Sequence, residues 1–248
     1  MNKKIRPVFL ILLVSSLVFL GIVIIFCSGL HISDKIQSFM AFFTLLAVLA
    51  ALFGKKAWDY LNRPILNIKF KLAPPDCHLT KMVGENVSFP VYYFRFLVEN
   101  VGESLAKECE VVLEKIFRKN RQGNFIEYKN YTPVTLKWTG SRNPYERTIQ
   151  PGRGIYCDLG RIHHPNFSYK SIYVGITEKE KEVNKFAFEL APYEFYYSQW
   201  DSLIPGEYKL VLSVYSKNAK KITREFNLIW SGNWKEKDND MFKELVIS

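Results

Sequence analysis

The stretch FRFLVENVGESLAKECEVVLEKI, from Phe94 to Ile116, decides how the chain folds. On both sides of its middle, apolar and polar residues alternate, which is the period-two pattern of half-buried strands. The segment Glu99–Ser104 lies between the two halves, and its polar residues and glycine interrupt both patterns. The stretch therefore predicts a β-hairpin with a tight turn.

The same alternation recurs along the chain after about Arg63, with turn-forming residues such as Pro151–Gly154 between the segments. No convincing helix lies between these segments, and only about Asn239–Ile247 looks helical. Many short strands in succession predict an antiparallel β-sandwich of the immunoglobulin-like class. The predicted strands are Leu66–Leu72, Tyr92–Val98, Cys109–Leu113, Val134–Trp138, Ile155–Leu159, Ile172–Ile176, Phe186–Leu190, Tyr208–Val214 and Ile222–Trp230.

The N-terminal part of the chain has a different composition. Residues 7–27 and 36–54 contain no charged residue, and each segment is about as long as a helix that crosses a hydrocarbon core of roughly 30 Å. The first segment is long for a signal peptide and no small-x-small site closes it, although cleavage is the alternative. We predict a two-helix transmembrane hairpin over 1–63, a β-sandwich domain over 64–232, and a partly helical tail over 233–248.

Basic residues flank the outer ends of the predicted hairpin, whereas Lys35 in its turn is offset by Asp34. Because Lys and Arg accumulate on the cytoplasmic side of a membrane, both termini and the soluble domain are predicted to be cytoplasmic. Trp58 and Tyr60 fit an interfacial anchor of a multi-pass protein of the inner (plasma) membrane. The flanking basic residues are Lys3, Lys4, Arg6, Lys55, Lys56 and Arg63.

The distribution of charge limits the classes of partner, and the number of cysteines bears on disulfide bonding. The net charge is +10, but basic and acidic residues are interspersed in the soluble part, so we expect no nucleic-acid partner. Membrane lipids are an expected partner, because the domain is tethered beside anionic headgroups. Cys77, Cys109 and Cys157 are an odd number of cysteines in the soluble part, which argues against a disulfide framework.

The turn of the opening stretch resembles a known motif. Asn100, Gly102, Ser104 and Ala106 are similar to the N-x-G-x-S-A signature of prokaryotic adhesion-related (CARDB-like) immunoglobulin-like domains, although Leu105 stands before Ala106 here. The resemblance implies that the Asn and Gly shape the bend and that the small residue lets the next strand pack closely. Independently of it, Gly102 is suited to a positive φ and Asn100 to bonding its own turn.

Two further likenesses point to the same class of protein. Pro205–Tyr208 is similar to the P-G-x-Y entry to a late strand in such domains, and Thr135–Trp138 and Trp230–Trp234 are similar to segments of uncharacterised prokaryotic membrane-anchored proteins with a membrane hairpin and a sandwich. These likenesses imply a binding or scaffolding part, and they imply no substrate.

Chemically reactive side chains are close in sequence at Cys157–Asp158 and at His163 and His164. A thiolate with imidazoles suits zinc, and Asp158 beside His163 or His164 suits a general base. The segment lacks the paired spacing of zinc ligands and a nucleophile-elbow serine, and Cys157 alternates as a core residue would. We therefore predict no metal, no cofactor and no catalytic residue.

The aromatic loop after Pro192 is the candidate binding surface. Tyr193, Tyr196, Tyr197 and Trp200 are spaced irregularly, so one strand cannot bury them all on one face, and Tyr and Trp are frequent anchors in binding sites. The alternative is that these rings cap the open end of the sandwich.

The sequence predicts a membrane-anchored cytoplasmic binding or scaffolding module, not an enzyme, that positions a protein or peptide partner at the inner face of the membrane. One alternative is an outward-facing envelope protein that binds surface polymers. Another is a hydrolase that uses Asp158 and His163 or His164.

Overall fold

A computed structural model gives the structure of the protein, and it describes residues 15–16, 18–26, 29, 31–83, 88–129, 131–140, 146–165, 188–191 and 202–248. The chain divides into two compact units, Met1–Arg63 and Pro64–Ser248.

The first unit contains one long apolar helix, α1, which covers Ile32–Leu61. Of the described residues, only this helix is long and apolar enough to cross a membrane, and none of its membrane-length window is buried by protein. It ends before Pro64, where the helical conformation becomes unfavourable for the preceding residue. Residues 15–16 and 18–26 are also helical, but the rest of the predicted first span, 7–27, lies outside the described residues, so the two-helix hairpin stays a prediction.

The second unit is mainly β, as predicted. It contains a short helix, α2, over Asp238–Glu244. Its strands in the described residues are β1 Leu66–Lys69, β2 Cys77–Val83, β3 Ser88–Asn100, β4 Ala106–Lys119, β5 Phe125–Glu127, β6 Val134–Thr135, β7 Arg147–Ile149, β8 Gly154–His163, β9 Phe188–Leu190, β10 Ser202–Leu203, β11 Gly206–Tyr215, β12 Ile222–Trp230 and β13 Leu245–Ile247. The predicted strand Ile172–Ile176 lies outside the described residues.

The strands form two antiparallel sheets. The first sheet has the order β1-β3-β8-β9-β10, with β2 also paired to β3. The second has the order β13-β12-β11-β4-β5, with β6 and β7 also paired to β4. The sheets share one core, in which the rings of Phe96 on β3 and Phe226 on β12 lie 4.4 Å apart between centroids. The inward residues are the apolar half of each alternating pattern, which is why the period-two signal identified the strands.

The opening stretch forms two strands, but the hairpin prediction was wrong. β3 lies in the first sheet and β4 in the second, so the turn between them carries the chain from one sheet to the other. Alternation shows that each strand buries one face. It does not show which strand lies beside it.

Asn100 fixes this turn from a fully buried position. Its Oδ1 accepts hydrogen bonds from the backbone N–H of Gly102 at 3.0 Å and of Ile65 at 3.3 Å. Its Nδ2 donates to the carbonyls of Ser104 at 2.7 Å and Ile149 at 3.0 Å. The prediction that Asn100 bonds its own turn is confirmed, and the same side chain also holds the start of β1 and the end of β7.

Gly102 is required for a different reason from the predicted one, since its φ is not positive. A Cβ at this position would lie 2.5 Å from the nitrogen of Ile65 and 2.8 Å from the Cα of Pro64. The turn therefore needs glycine because the first residues of the domain cross directly over it.

The end of the chain completes the second sheet. Helix α2 ends at Glu244, and Leu245–Ile247 forms β13 against β12 instead of continuing the predicted helix. Leu245 and Ile247 are buried, so the last residues belong to the core rather than to a tail.

The three cysteines of the domain are buried free thiols. Burial, with a smaller effect of the Asp76 charge, raises the pKa of Cys77 to about 12. Burial also raises the pKa of Cys109 and Cys157. Because a thiolate is the form that binds metals and attacks electrophiles, these thiols act as core residues, as predicted for Cys157.

Candidate functional site

The polar side chains that stand out in the sequence of β8 lie on the outer face of the first sheet. Arg95 of β3 is paired with Asp158 of β8, and Arg161 of β8 is paired with Glu189 of β9. Paired residues of antiparallel strands project to the same face. With His163, these residues form what we call the outer row.

The centre of the outer row is an Arg161–Glu189–His163 cluster. His163 Nε2 lies 2.6 Å from Glu189 Oε2, and Arg161 donates from Nε at 2.8 Å and from Nη2 at 3.1 Å to the same carboxylate. The side chains of His163 and Glu189 are 3% and 6% exposed. Both oxygens of this buried carboxylate are therefore held by cationic or ring N–H donors.

The environment keeps Glu189 ionised. Burial alone raises the pKa of Glu189, but the hydrogen bonds from His163 and Arg161, with the Arg161 charge, outweigh burial and lower this pKa to about 2. A carboxylate with such a pKa does not exchange a proton near neutral pH. It acts as a fixed charge.

Asp158 and His163 are not brought together. Thr139 Oγ1 donates a hydrogen bond to Asp158 Oδ1, whereas the carboxylate partner of His163 is Glu189. The strand rise separates Asp158 from His163 by about 15 Å. His164 packs against the Trp234 ring at 5.2 Å. The structure therefore does not place Asp158 against His163 or His164, the contact that the hydrolase alternative would need.

Arg95 continues the outer row toward β2. Its guanidinium lies 5.0 Å from the Tyr156 ring centroid and donates from Nη2 to the carbonyl of Pro75 at 2.5 Å. The Tyr156 hydroxyl donates to Asp76 Oδ1 at 3.3 Å. Charged and aromatic groups on this face are thus fixed by one another in advance of any ligand.

The arrangement is suited to recognition. In the described part of the chain, no group of three or more His, Cys, Asp or Glu residues could hold a metal ion. The His163–Glu189 pair has the geometry that orients an imidazole. Arg95, Asp158 and Arg161 are partly exposed, and charges of both signs on a sheet face provide complementarity to a partner surface.

Sequence reasoning missed Arg161 and Glu189. The available signal was an acidic residue in the middle of the apolar strand Phe188–Leu190, because a carboxylate is rarely buried without a cation. The predicted binding residues Tyr193, Tyr196, Tyr197 and Trp200 lie outside the described residues, so their role stays a prediction.

Asp158 tests whether its hydrogen bond and the Arg95 charge offset the cost of burying its carboxylate. Burial raises the pKa of Asp158, and the Thr139 hydrogen bond and the Arg95 charge offset only part of this. Ionised Asp158 therefore costs folding free energy above its raised pKa, and this cost disappears as the pH falls. We expect Asp158→Asn either to lower the free energy of unfolding at pH 7 by less than about 1 kcal/mol or to raise it. Urea unfolding in detergent checks this, and a loss above about 2 kcal/mol would contradict it.

Neither a family model nor a curated protein matches the chain. Among solved structures, the chain is similar to the archaeal flagellum of Methanospirillum hungatei strain JF1, at 12% identity and a TM-score of 0.33, over 83% of this chain and 96% of that chain. It is also similar to a target of the Northeast Structural Genomics Consortium, at 12% identity and a TM-score of 0.27, over 71% of this chain and 93% of that chain. Likenesses at this level carry no information about function.

Proposed function

We propose that this chain is a membrane-anchored binding module, not an enzyme, whose β domain lies at the cytoplasmic face of the plasma membrane and positions a protein or peptide partner there. The observation that carries the proposal is α1. This 30-residue helix exposes its apolar side chains, and a helix that is apolar without protein cover is suited to lipid. Residues 62–65 alone connect it to β1, so a bilayer that holds α1 also holds the domain.

We further propose that the domain is an immunoglobulin-like sandwich of the adhesion-related type. The strand order supports this. The first sheet contains the order β1-β3-β8, and the second contains β12-β11-β4-β5. This corresponds to strands A-B-E on one sheet and G-F-C on the other, the arrangement of immunoglobulin-like sandwiches, with β5 added at the edge.

Tyr208 gives independent support for this topology. It lies near the start of β11, which occupies the position of strand F, and its hydroxyl donates to the carbonyl of Ile204 at 2.7 Å. A tyrosine at the start of strand F that bonds backbone a few residues upstream is a feature of these domains.

A binding role agrees with the chemistry of the outer row. Its buried carboxylate Glu189 is locked in the ionised form by Arg161 and His163, so the centre of the row holds a fixed charge rather than a group poised to transfer protons. Strands hold these groups more rigidly than loops do, which lowers the ordering cost of binding.

Topology is the first test of the proposal. A reporter that is active only in the cytoplasm, fused after Ser248, is expected to be active, because basic residues flank both ends of the anchor. The same reporter inserted after Gly29, between the two proposed spans, is the matched control and is expected to be inactive. Alkaline carbonate washing should leave the full chain in the membrane.

The opposite reporter pattern would overturn the cytoplasmic orientation and favour an outward-facing domain that binds surface polymers. Release of a fragment that begins near Ser28 would show that the first apolar segment is cleaved.

A further inference from the structure

Two apolar side chains are exposed at the turn between β3 and β4. Val101 is 39% exposed and Leu105 is 36% exposed, and they stand on either side of the exposed Glu103. We call residues 101–105 the β3–β4 tip. Its backbone is pinned by the side chain of Asn100, which bonds Gly102 and Ser104, so these apolar side chains are presented by a fixed turn and not by a mobile loop.

The β3–β4 tip is locked to the start of the domain. The Val101 N–H donates to the carbonyl of Ile65 at 2.8 Å, and the backbone of Pro64 and Ile65 fills the space where a Cβ of Gly102 would lie. Since α1 ends at Leu61, only residues 62–64 separate the end of the helix from Ile65, to which the tip is hydrogen-bonded. Chain connectivity alone therefore keeps the tip near any bilayer that holds α1.

Basic residues lie on the segments that bond to the ends of the tip. In the β7–β8 turn, the carbonyl of Arg153 accepts a hydrogen bond from the N–H of Asn100 at 2.9 Å. In the β11–β12 loop, the N–H of Lys217 donates to the carbonyl of Lys107 at 3.1 Å. Lys217 is offset by an ion pair with Glu108 at 2.6 Å. The exposed basic residues of these segments are Lys107, Arg153, Lys217, Lys220 and Lys221, of which Lys221 pairs with Glu114 at 2.8 Å.

We propose that the β3–β4 tip docks the domain onto the surface of a bilayer that contains anionic lipids, with Val101 and Leu105 entering the headgroup region. The proposal rests on the membrane anchoring proposed above. Apolar side chains supply burial at the boundary of the acyl chains, and neighbouring Lys and Arg are attracted to anionic headgroups. The docked domain would be held in one orientation relative to the membrane surface.

The test uses the full chain in vesicles of phosphatidylcholine, with or without roughly one quarter phosphatidylglycerol. An environment-sensitive dye is attached at Glu103→Cys in a Cys27→Ser background, since the three thiols of the domain are buried. Nitroxide-labelled lipids then report contact with the bilayer. A dye at Asn124→Cys is the control. Residue 124 lies in the turn between β4 and β5, and β4 (Ala106–Lys119) puts roughly 40 Å between that turn and the β3–β4 tip.

We expect quenching at residue 103 to exceed quenching at residue 124 by roughly threefold or more in the anionic vesicles, since binding follows buried apolar area and charge. The pair Val101→Ser and Leu105→Ser should abolish this difference. The matched pair Phe125→Ser and Ile126→Ser, which removes apolar side chains that are 39% and 50% exposed on β5, should leave it unchanged.

Each alternative result has a distinct meaning. Equal quenching at residues 103 and 124, or quenching that the tip variant retains, overturns the docking proposal. Dye self-quenching at residue 103 without lipid quenching also overturns it, because the tip then contacts a second copy. Carbonate washing of the same vesicles separates the two proposals: a retained chain with no lipid quenching leaves the anchor standing, whereas a released chain shows that the anchor fails.

Discussion

Replacing Asn100 with alanine is expected to lower the free energy of unfolding by about 4 kcal/mol, the largest effect of any single substitution considered for this domain. The side chain is fully buried and serves two backbone donors and two backbone carbonyls. Alanine leaves these groups without their partner in a place that water does not reach, and the full desolvation cost of each group is then felt.

Urea unfolding of the full chain in detergent, followed by tryptophan fluorescence, measures this effect. Asn218→Ala is the matched control, because Asn218 also bonds two backbone groups, the N–H of Lys107 at 2.9 Å and the carbonyl of Leu105 at 2.8 Å. Asn218 is exposed, so water replaces its bonds and the expected loss is below about 1 kcal/mol. Equal losses in the two variants would contradict the role assigned to Asn100.

Replacing Glu189 with glutamine is expected to cost about 3 kcal/mol at pH 7, because it leaves the partly buried guanidinium of Arg161 without a counter-charge. The pKa of Glu189 is lowered from 4.5 to about 2 in the folded protein. A lowered carboxyl pKa stabilises the fold above the unfolded value, and this stabilisation is lost as the pH falls from about 4.5 toward 2. The difference between the wild-type chain and the variant should therefore shrink over that range.

Unfolding curves at pH 7 and at pH 3 check this expectation. Glu99→Gln removes a carboxylate that also pairs with a cation, Lys69 at 2.6 Å, but the Lys69 side chain is 53% exposed. Exposed pairs contribute little, so this control should lose less than about 1 kcal/mol. A Glu189→Gln variant as stable as Glu99→Gln would mean that the Arg161–Glu189–His163 cluster is not a fixed structural charge.

The strands that the sequence predicted well are the long ones whose inner face is continuous. β3 and β11 bury alternate residues along most of their length, so the alternation is readable without knowing the neighbours. Short strands such as β5 and β7 span too few residues to show a period. Leu245–Ile247 follows a helix in sequence and becomes a strand only because the edge of β12 is open to it.

Long-range contacts explain what sequence reasoning could not supply. The role of Asn100 in its own turn is local and was predictable, whereas the need for glycine at residue 102 depends on Pro64 crossing over it. Asp158 and His163 stood out as single residues, but their partners are Thr139 and Glu189. Sheet pairing, which local pattern does not determine, decides which of these side chains meet.

The central claim is that α1 holds the β domain at the cytoplasmic face of a membrane. Its most direct test is the accessibility of a cysteine at Asn124→Cys, an exposed position in the turn before β5, in a Cys27→Ser background. Intact cells are treated with a membrane-impermeant maleimide, and a second sample is treated after lysis. The account predicts that residue 124 is labelled only after lysis, and labelling of intact cells would contradict it.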